Sequence, residues 1–384
     1  MRKDRFTLNI LFDVYYLYFW PHFAPIWQQF QTLRNSVSGF ATFTTEDHPE
    51  ALQLSRQVLE QAGLTLLTGR NEKERLAALK EHTYDLTFVG GIRPGFDVIR
   101  NQSRVVCAMS HGLGIKQAYF TDSPEGADLR FTEGPQHHAA LKARYPDLNI
   151  ELVGMSKLDP LVQSDRRRFD AYLNRYGLSK DRPIILWAPT FYPSSLEVLA
   201  KPVRRIAPKT EYQWILKPHH FTMFPRRWKY KRQYKLVHRL AKNIPNLTLL
   251  PPHEYSIIPW LNISDVLISD TSSTVFEMIA ADKPVIQCTK YKKRWNHYLF
   301  PSRLYTKRLD TETTEQLEYA VRIDSPEDLE SAVERGLQDP EWLREKRRTA
   351  REQLFFQLDG KASLRIVQNA LSLLNAADTR AAGD

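Results

Sequence analysis

The sequence predicts an α/β protein with two domains, each built around a parallel sheet. Short apolar runs, typical of strands buried on both faces, alternate with segments of helical periodicity, which indicates βαβ units. A chain of 384 residues is also long for a single core. A polar segment at residues 176–183 precedes a second strand-helix series. We therefore expect domains at 1–176 and 177–355, a helix at 356–376 and a disordered tail at 377–384.

The first domain is expected to begin with a strand at residues 8–14, followed by helices at 49–62 and 72–82. Further strands are expected at 64–67, 86–89 and 105–107. A segment rich in aromatic rings follows the first strand. It contains Tyr15, Tyr16, Tyr18, Trp20, His22 and Trp27. This segment forms either a packing cluster or a rim that binds a substrate or faces a membrane.

Composition predicts a globular protein with an anionic partner. The hydrophobic content of 42% and charged content of 26% are those of soluble proteins. Asp13 interrupts the apolar N-terminal run and no small-residue cleavage site follows, so we expect a first strand and a cytosolic protein. Cys107 and Cys288 lie in apolar patterns and are predicted to be buried free thiols. The net charge of +10 implies an anionic ligand, membrane or nucleic acid.

One stretch, residues 265–287, has the pattern of a phosphate site. An apolar strand is followed by the small polar residues Asp270, Thr271, Ser272 and Ser273 and then by a helical pattern. Hydroxyls and free backbone N–H groups at a helix N-terminus are what a bound phosphate needs, although the same residues also cap helices without a ligand. Open α/β sheets bind ligands at the carboxyl ends of their strands, which favours the phosphate site.

Other strand ends carry polar residues as well. After the strand at 105–107, Gly112 permits close approach of the backbone to a ligand, while His111 suits proton transfer and Lys116 suits neutralisation of phosphate. A loop histidine is more often structural, but its place beside glycine at a strand end favours a functional role. The segment 154–159 is expected to line the same cleft. Strands that begin the second domain end at Thr190 and at residues 217–220.

Six blocks in order resemble one family, the CDP-glycerol glycerophosphotransferases, which include teichoic acid primases and polymerases. The blocks are HGLGIK (111–116), GMSKLD (154–159), LWAPT (186–190), LKPHH (216–220), SDVLISDTSSTVFEMIAADKPVI (264–286) and DGKASLRIV (359–367). They are similar to the family's HG-x-x-x-K loop, G-x-P-R-x-D turn, YAPT strand, histidine-bearing strand end, SDVLITDYSS…DKPII block and DGKAS-x-RI pattern. Each block alone is weak, and the set is fairly specific.

The resemblance implies a GT-B fold, in which two Rossmann-like domains face each other across a cleft, the N-terminal one being the acceptor domain and the C-terminal one holding the nucleotide donor. It implies transfer of a polyol phosphate from CDP-glycerol, or a related CDP-polyol, to a hydroxyl of a lipid-linked glycan. The substrate-binding residues would be Gly112, Asp159, Thr190, Lys217, His220, Asp270, Thr271, Ser272, Ser273 and Glu277. This chain departs from the family at Thr271, at the Pro218-His219-His220 order and at Ser156-Lys157, which leaves the polyol and the functional histidine open.

The chemistry of such a transfer assigns roles to these residues. Attack at phosphorus requires a deprotonated acceptor hydroxyl and neutralised pyrophosphate charge. His111 is the candidate base, and Lys116 and His219, with Ser272 and Ser273, are the candidate donors to phosphate. The sequence has no Asp-x-Asp metal signature, so neither a metal nor a cofactor is assumed.

A lipid-linked acceptor would place the protein on the inner face of the cell membrane. The segment 226–235 suits an anionic surface, since Arg226, Arg227, Lys229, Lys231, Arg232 and Lys235 are interleaved with Trp228, Tyr230 and Tyr234. Two alternatives stay open: a GT-B glycosyltransferase or nucleotide-sugar epimerase, in which Glu277 binds a ribose, and a non-catalytic nucleic-acid-binding protein. No recognised nucleic-acid-binding fold is present in the pattern, so we expect no nucleic-acid partner.

Overall fold

The computed structural model describes residues 7–33, 36–91, 93, 95–110, 112, 126–163, 166–226, 228–293 and 317–381. His111, Lys116 and Arg227 lie outside these residues, as do the side chains of Trp228 and Lys229. The chain divides into two compact units. The first combines Met1–His111, Phe120–Pro160 and Leu354–Asp384, and the second combines Gly112–Tyr119 and Leu161–Gln353.

The first unit contains a seven-stranded parallel sheet in the order β3-β2-β1-β4-β5-β6-β7. Its strands are β1 (Leu8–Tyr15), β2 (Val37–Phe43), β3 (Thr65–Leu66), β4 (Tyr84–Val89), β5 (Ser103–Ala108), β6 (Leu129–Thr132) and β7 (Ile150–Leu152). Its helices are α1 (Trp20–Leu33), α2 (Pro49–Gln61), α3 (Glu72–Lys80), α4 (Phe96–Gln102) and α5 (Pro135–Arg144). A short helix, α6 (Asp159–Gln163), spans the boundary between the units.

The aromatic segment after β1 packs into the core of the first unit. Most of it is helix α1, and the rings of Trp20, Phe23 and Trp27 lie on one helical face. The Phe12 ring of β1 contacts all three, with centroids 6.0, 5.7 and 6.1 Å away. His22 is also buried. These contacts account for Trp20, His22 and Trp27 as a packing cluster.

The second unit contains a six-stranded parallel sheet in the order β10-β9-β8-β11-β12-β13. Its strands are β8 (Ile184–Trp187), β9 (Gln213–Leu216), β10 (Leu247–Leu249), β11 (Val266–Ser269), β12 (Val285–Cys288) and β13 (Ala320–Ile323). Its helices are α7 (Arg166–Tyr176), α8 (Leu196–Ile206), α9 (His220–Met223), α10 (Trp228–Asn243), α11 (Ile258–Ile263), α12 (Thr274–Ala280), α13 (Leu329–Gln338) and α14 (Glu341–Leu354). Cys107 and Cys288 are buried free thiols, as predicted.

The unit boundary differs from the one expected at residue 176. Helix α7 groups with the second unit, because the rings of Tyr172 and Tyr176 pack edge-on against buried Trp260, with centroids 5.5 and 5.2 Å away. The Tyr176 hydroxyl and the Arg175 guanidinium also donate to Glu254, at 3.0 and 3.1 Å. The units therefore divide after Pro160.

The C-terminal helix, α15 (Ala362–Ala381), belongs to the first unit. It extends through residues 377–381, where the sequence predicted a disordered tail. Asp159 fixes its start: one carboxylate oxygen accepts the Ala362 N–H at 3.0 Å, and the other accepts the N–H and hydroxyl of Ser363 at 2.7 and 2.5 Å. Arg365 donates to the Val153 carbonyl at 2.7 Å. Asp159, a predicted substrate-binding residue, is thus a helix cap with only 3% of its surface exposed.

We predict that Asp159→Ala lowers the free energy of unfolding by about 1–3 kcal/mol, because it leaves two buried N–H groups and a hydroxyl without their acceptor. Denaturant unfolding followed by circular dichroism measures the change. Asp147→Ala is the matched control, since Asp147 is exposed in the same unit and should cost less than about 0.5 kcal/mol. Equal losses in the two variants would contradict the capping role.

Candidate functional site

Several predicted residues meet at the carboxyl edge of the second sheet. The chain runs from β8 through β9 to β10 in one direction and then returns to β11 on the other side of β8, so the strand order reverses between β8 and β11. Open α/β sheets bind ligands at such a reversal. The loops after β8, β9 and β11 carry Thr190, residues 217–220 and residues 270–273, respectively. The fold therefore brings these predicted residues to one edge.

Asp270 ties two of these loops together. One carboxylate oxygen accepts the Thr190 N–H at 3.0 Å, and the other accepts the N–H and hydroxyl of Ser195, both at 2.8 Å. Burial raises the pKa of Asp270 to about 6, although these hydrogen bonds favour the ionised form. Because the side chain is fully buried and both oxygens are bonded within the chain, Asp270 acts as a brace beneath the predicted site.

The residues after Asp270 form the start of α12. Thr271 is buried, whereas Ser272 and Ser273 are half-buried and remain accessible. The Ser272 hydroxyl lies 3.4 Å from the Thr274 N–H, and the Ser273 hydroxyl donates to the fully buried Glu277 carboxylate at 3.1 Å. Burial removes Glu277 from direct reach of a ligand, and its described contact orients Ser273. The two serines are the members of this segment that a phosphate can meet.

The loop after β9 presents His219 next to the loop after β8. The His219 Nδ1 atom accepts the Phe221 N–H at 3.2 Å, which places the proton of the neutral ring on Nε2. Phe191, in the loop after β8, packs on the imidazole with ring centroids 4.6 Å apart. His220 instead packs against Phe224 at 5.1 Å. The Lys217 ammonium donates to the Glu254 carbonyl at 2.5 Å and thereby holds the chain beyond β10.

The predicted loop around residue 111, which is divided between the two units after His111, is described only in part. Gly112 is buried, and the preceding Ser110 accepts a hydrogen bond from buried Arg130 at 2.7 Å. Buried His137 and Glu133 form a neighbouring pair, with Nδ1 and Oε1 separated by 2.8 Å. Arg130 therefore fixes the residue directly before His111, although no sequence pattern singles it out.

Sequence reasoning also missed Ser195 and Phe191. Ser195 was open to discovery, because Ser194-Ser195 directly precedes an apolar helical pattern and serines of this kind bind backbone groups at helix starts. Phe191 gives no comparable signal, since a single ring in a loop does not reveal which histidine it will contact. Within the described ranges, no group of three or more His, Cys, Asp or Glu side chains can hold a metal ion. No helix among those residues is long and apolar enough to cross a membrane.

Comparison with known proteins gives a family and a fold. Residues 135–372, more than half of the chain, match the family model described as CDP-Glycerol:Poly(glycerophosphate) glycerophosphotransferase. The match includes Thr190, His219, Ser272 and Ser273 and begins after His111 and Lys116. No curated protein matches the chain.

The solved structures that resemble this chain include GT-B enzymes. The wall teichoic acid polymerase TagF aligns over 96% of this chain and 89% of its own, with 14% identity and a TM-score of 0.65. UDP-GlcNAc 2-epimerase from Neisseria meningitidis aligns over 95% of this chain and 100% of its own, with 14% identity and a TM-score of 0.60. UDP-GlcNAc 2-epimerase from Methanocaldococcus jannaschii aligns over 95% of this chain and 99% of its own, with 13% identity and a TM-score of 0.57. These likenesses confirm the predicted GT-B fold class.

The raised pKa of Asp270 predicts an inverse dependence of stability on pH. A carboxyl that binds its proton more tightly when folded than when unfolded makes folding more favourable as pH falls from about 6 toward 4. Relative to Asp270→Asn, the wild-type protein should gain about 1.4 kcal/mol per pH unit over this range. Urea unfolding of both proteins at several pH values measures the difference. Ser195→Ala retains the Asp270 carboxylate and should show the same dependence of stability on pH. If the wild-type protein did not gain stability relative to Asp270→Asn as the pH falls, the result would contradict a raised pKa.

Proposed function

Because the chain belongs to the CDP-glycerol:poly(glycerophosphate) glycerophosphotransferase family, we propose that it transfers glycerol phosphate, or a related polyol phosphate, from a CDP-activated donor to a hydroxyl of a lipid-linked glycan. The observation that carries the proposal is the convergence of Thr190, His219, Ser272 and Ser273 at the strand-order reversal of the second sheet, within the residues that match the family. The structural relative TagF is a wall teichoic acid polymerase for which a structure with CDPG exists.

In the proposed reaction, an acceptor oxygen attacks the phosphorus that bears the glycerol. A new oxygen–phosphorus bond forms, the bond to the bridging oxygen of the diphosphate breaks, and CMP leaves with the bonding electrons. His111 takes the proton of the acceptor hydroxyl, which raises the nucleophilicity of its oxygen. Lys116 neutralises phosphate charge, while His219 donates from Nε2 and Ser272 and Ser273 donate from their N–H and hydroxyl groups, the Ser273 hydroxyl turning from Glu277 to the phosphate. Asp270 positions the two loops and does not contact the donor.

We predict that the protein releases CMP from CDP-glycerol in the presence of a lipid-linked acceptor, and that His111→Ala lowers turnover by about 10²–10⁴-fold, the range of general-base catalysis. CDP-glycerol, CDP-ribitol and UDP-sugars should be assayed side by side, with His138→Ala as a control for loss of a histidine. Turnover of a UDP-sugar alone would favour a glycosyltransferase or epimerase. Near-normal turnover in folded His111→Ala would remove His111 from the mechanism.

A second prediction concerns the predicted phosphate turn. Replacing Ser272 and Ser273 together by alanine should weaken binding of both CDP and CDP-glycerol, since both ligands retain the diphosphate. The loss should be about tenfold for each hydrogen bond to a charged group. Isothermal titration calorimetry measures it, with exposed Ser331→Ala as the control. Unchanged affinity for CDP would place the phosphates elsewhere.

We also propose that the protein works at an anionic membrane surface. In the segment 226–235, the exposed residues are Arg226, Lys231, Arg232, Tyr234 and Lys235. Each basic residue near such a surface contributes about 1 kcal/mol, and aromatic rings favour the interface. If three of the six basic residues reach the lipid, the gain is roughly 3 kcal/mol, or about a hundredfold enrichment.

Co-sedimentation with liposomes tests this membrane association. Binding should require anionic lipid, weaken with salt and fall when Arg226, Arg227, Lys229 and Lys231 are replaced by glutamine. The matched control replaces Lys201, Arg204, Arg205 and Lys209, four exposed basic residues of the same unit, and should retain most of the binding. Equal binding to neutral vesicles, or equal losses in the two variants, would refute the proposal.

A further inference from the structure

A basic cavity lies in the second unit beside the candidate site. Its volume is about 670 Å³. It is bordered by the loop after β8, by one face of α10 and by the chain that follows β12. We call it the α10 cavity, after the helix that supplies Arg232, Lys235 and Arg239 to its wall.

The positive charge of the α10 cavity comes from one face of α10 and from the chain segment that contains Lys292. Arg232, Lys235 and Arg239 are spaced i, i+3 and i+7, so that they share one face of α10. Lys292, from the chain that follows β12, also lines the cavity, and its backbone N–H donates to the Ser194 carbonyl at 2.8 Å. Among the residues that the structure describes, these four cations form no ion pair. Lys293 lines the cavity as well, so that its wall carries five basic residues against one carboxylate, Glu197, and favours an anion.

The floor of the α10 cavity can accept hydrogen bonds from hydroxyl groups. Glu197 lines it, and the largely buried Gln233 holds the carboxylate in place through Nε2, which lies 3.2 and 3.3 Å from the two oxygens. The same Nε2 donates to the Phe191 carbonyl at 3.2 Å. A carboxylate has about four acceptor positions, so Glu197 retains capacity for ligand hydroxyls. Basic side chains and a fixed acceptor in the same lining match a ligand that carries both phosphate and hydroxyl groups.

The cavity and the candidate site share a wall. The ring of Phe191 lines the cavity and packs on His219 with centroids 4.6 Å apart. The ring of Tyr230, another lining residue, packs edge-on against the ring of Phe191, with centroids 5.7 Å apart. A ligand held in the cavity thus lies next to the loop that presents His219.

We propose that the α10 cavity binds a phosphate-bearing polyol or sugar segment, and that this segment is part of the acceptor; the second clause rests on the proposed function. Arg232, Lys235 and Arg239 are exposed, but they are grouped with Glu197 around one concave volume, which suits a chain of phosphodiesters better than a flat lipid surface. A membrane would meet the neighbouring exposed stripe of α10, which contains Lys231, Tyr234 and Lys242. In this proposal, the cavity face of α10 binds the acceptor's phosphates, and the neighbouring stripe faces lipid.

The test uses the full chain and two α10 variants that lose the same charge. Arg232→Gln with Arg239→Gln alters the cavity, and Lys231→Gln with Lys242→Gln alters the neighbouring stripe. The probe is a short soluble oligomer of glycerol phosphate, titrated by calorimetry, with inorganic tripolyphosphate as a second probe. The cavity variant should bind the oligomer about a hundredfold more weakly, roughly tenfold for each lost charged contact. The control variant should bind within about twofold of the wild-type protein.

CDP affinity and vesicle binding separate this proposal from the proposed function. The cavity variant should keep the wild-type affinity for CDP and its binding to vesicles of phosphatidylcholine with phosphatidylglycerol. Loss of CDP affinity instead of oligomer affinity would assign the cavity to the donor and overturn the proposal. So would loss of vesicle binding alone, equal losses in both variants, or no oligomer binding by the wild-type protein. The double variant Ser272→Ala with Ser273→Ala could leave CDP affinity unchanged while the cavity variant loses affinity for the oligomer. That result would support the cavity as a binding site and refute the predicted phosphate turn.

Discussion

The geometry of the candidate site depends on the hydrogen bonding of one buried carboxylate. Removing Asp270 from water is costly unless its oxygens are hydrogen-bonded, and three of its donors come from the loop that follows β8. That requirement fixes the loop relative to the end of β11 and so places Phe191 where it can pack on His219. His219 is therefore positioned, through Phe191, by a group that has no part in the proposed chemistry.

The first unit uses the same device for a different purpose. Asp159 is almost fully buried, and its three described donors come from the start of α15. These residues are about two hundred positions apart in the chain, so the carboxylate closes the first unit with its last helix. Gly154 adds a steric requirement nearby: it has a φ of +92°, and a Cβ atom there would lie 2.8 Å from the Phe356 carbonyl. The two segments that resemble family motifs, 154–159 and 359–367, therefore contact each other and hold α15 in the first unit.

The sequence predicted the parallel sheets and the edge at which polar residues gather, because both follow from local patterns of apolar runs and strand ends. It did not predict that the carboxylates of Asp159 and Asp270 would be buried and hydrogen-bonded to backbone N–H groups and serine hydroxyls, since motif positions do not reveal burial. Strand β2 was also missed: its VSGFATF sequence mixes glycine and hydroxyl residues with apolar ones and has no clear alternation. The boundary near Pro160 depends on the contacts of Tyr172 and Tyr176 with Trp260, which are long-range contacts without a local signal.

The basic segment shows how folding divides residues that are neighbours in sequence. Residues 226–235 form one cluster of positive charge in the sequence, yet helix α10 turns Arg232 and Lys235 into the cavity while Lys231 and Tyr234 point along a neighbouring stripe. Arg232 and Lys235 are as exposed as Lys231 and Tyr234, but a side chain that contacts a ligand in the cavity is not available to a lipid surface at the same time. The number of basic residues in a segment therefore overstates the charge available to a membrane, and the helical period decides which charges face which partner.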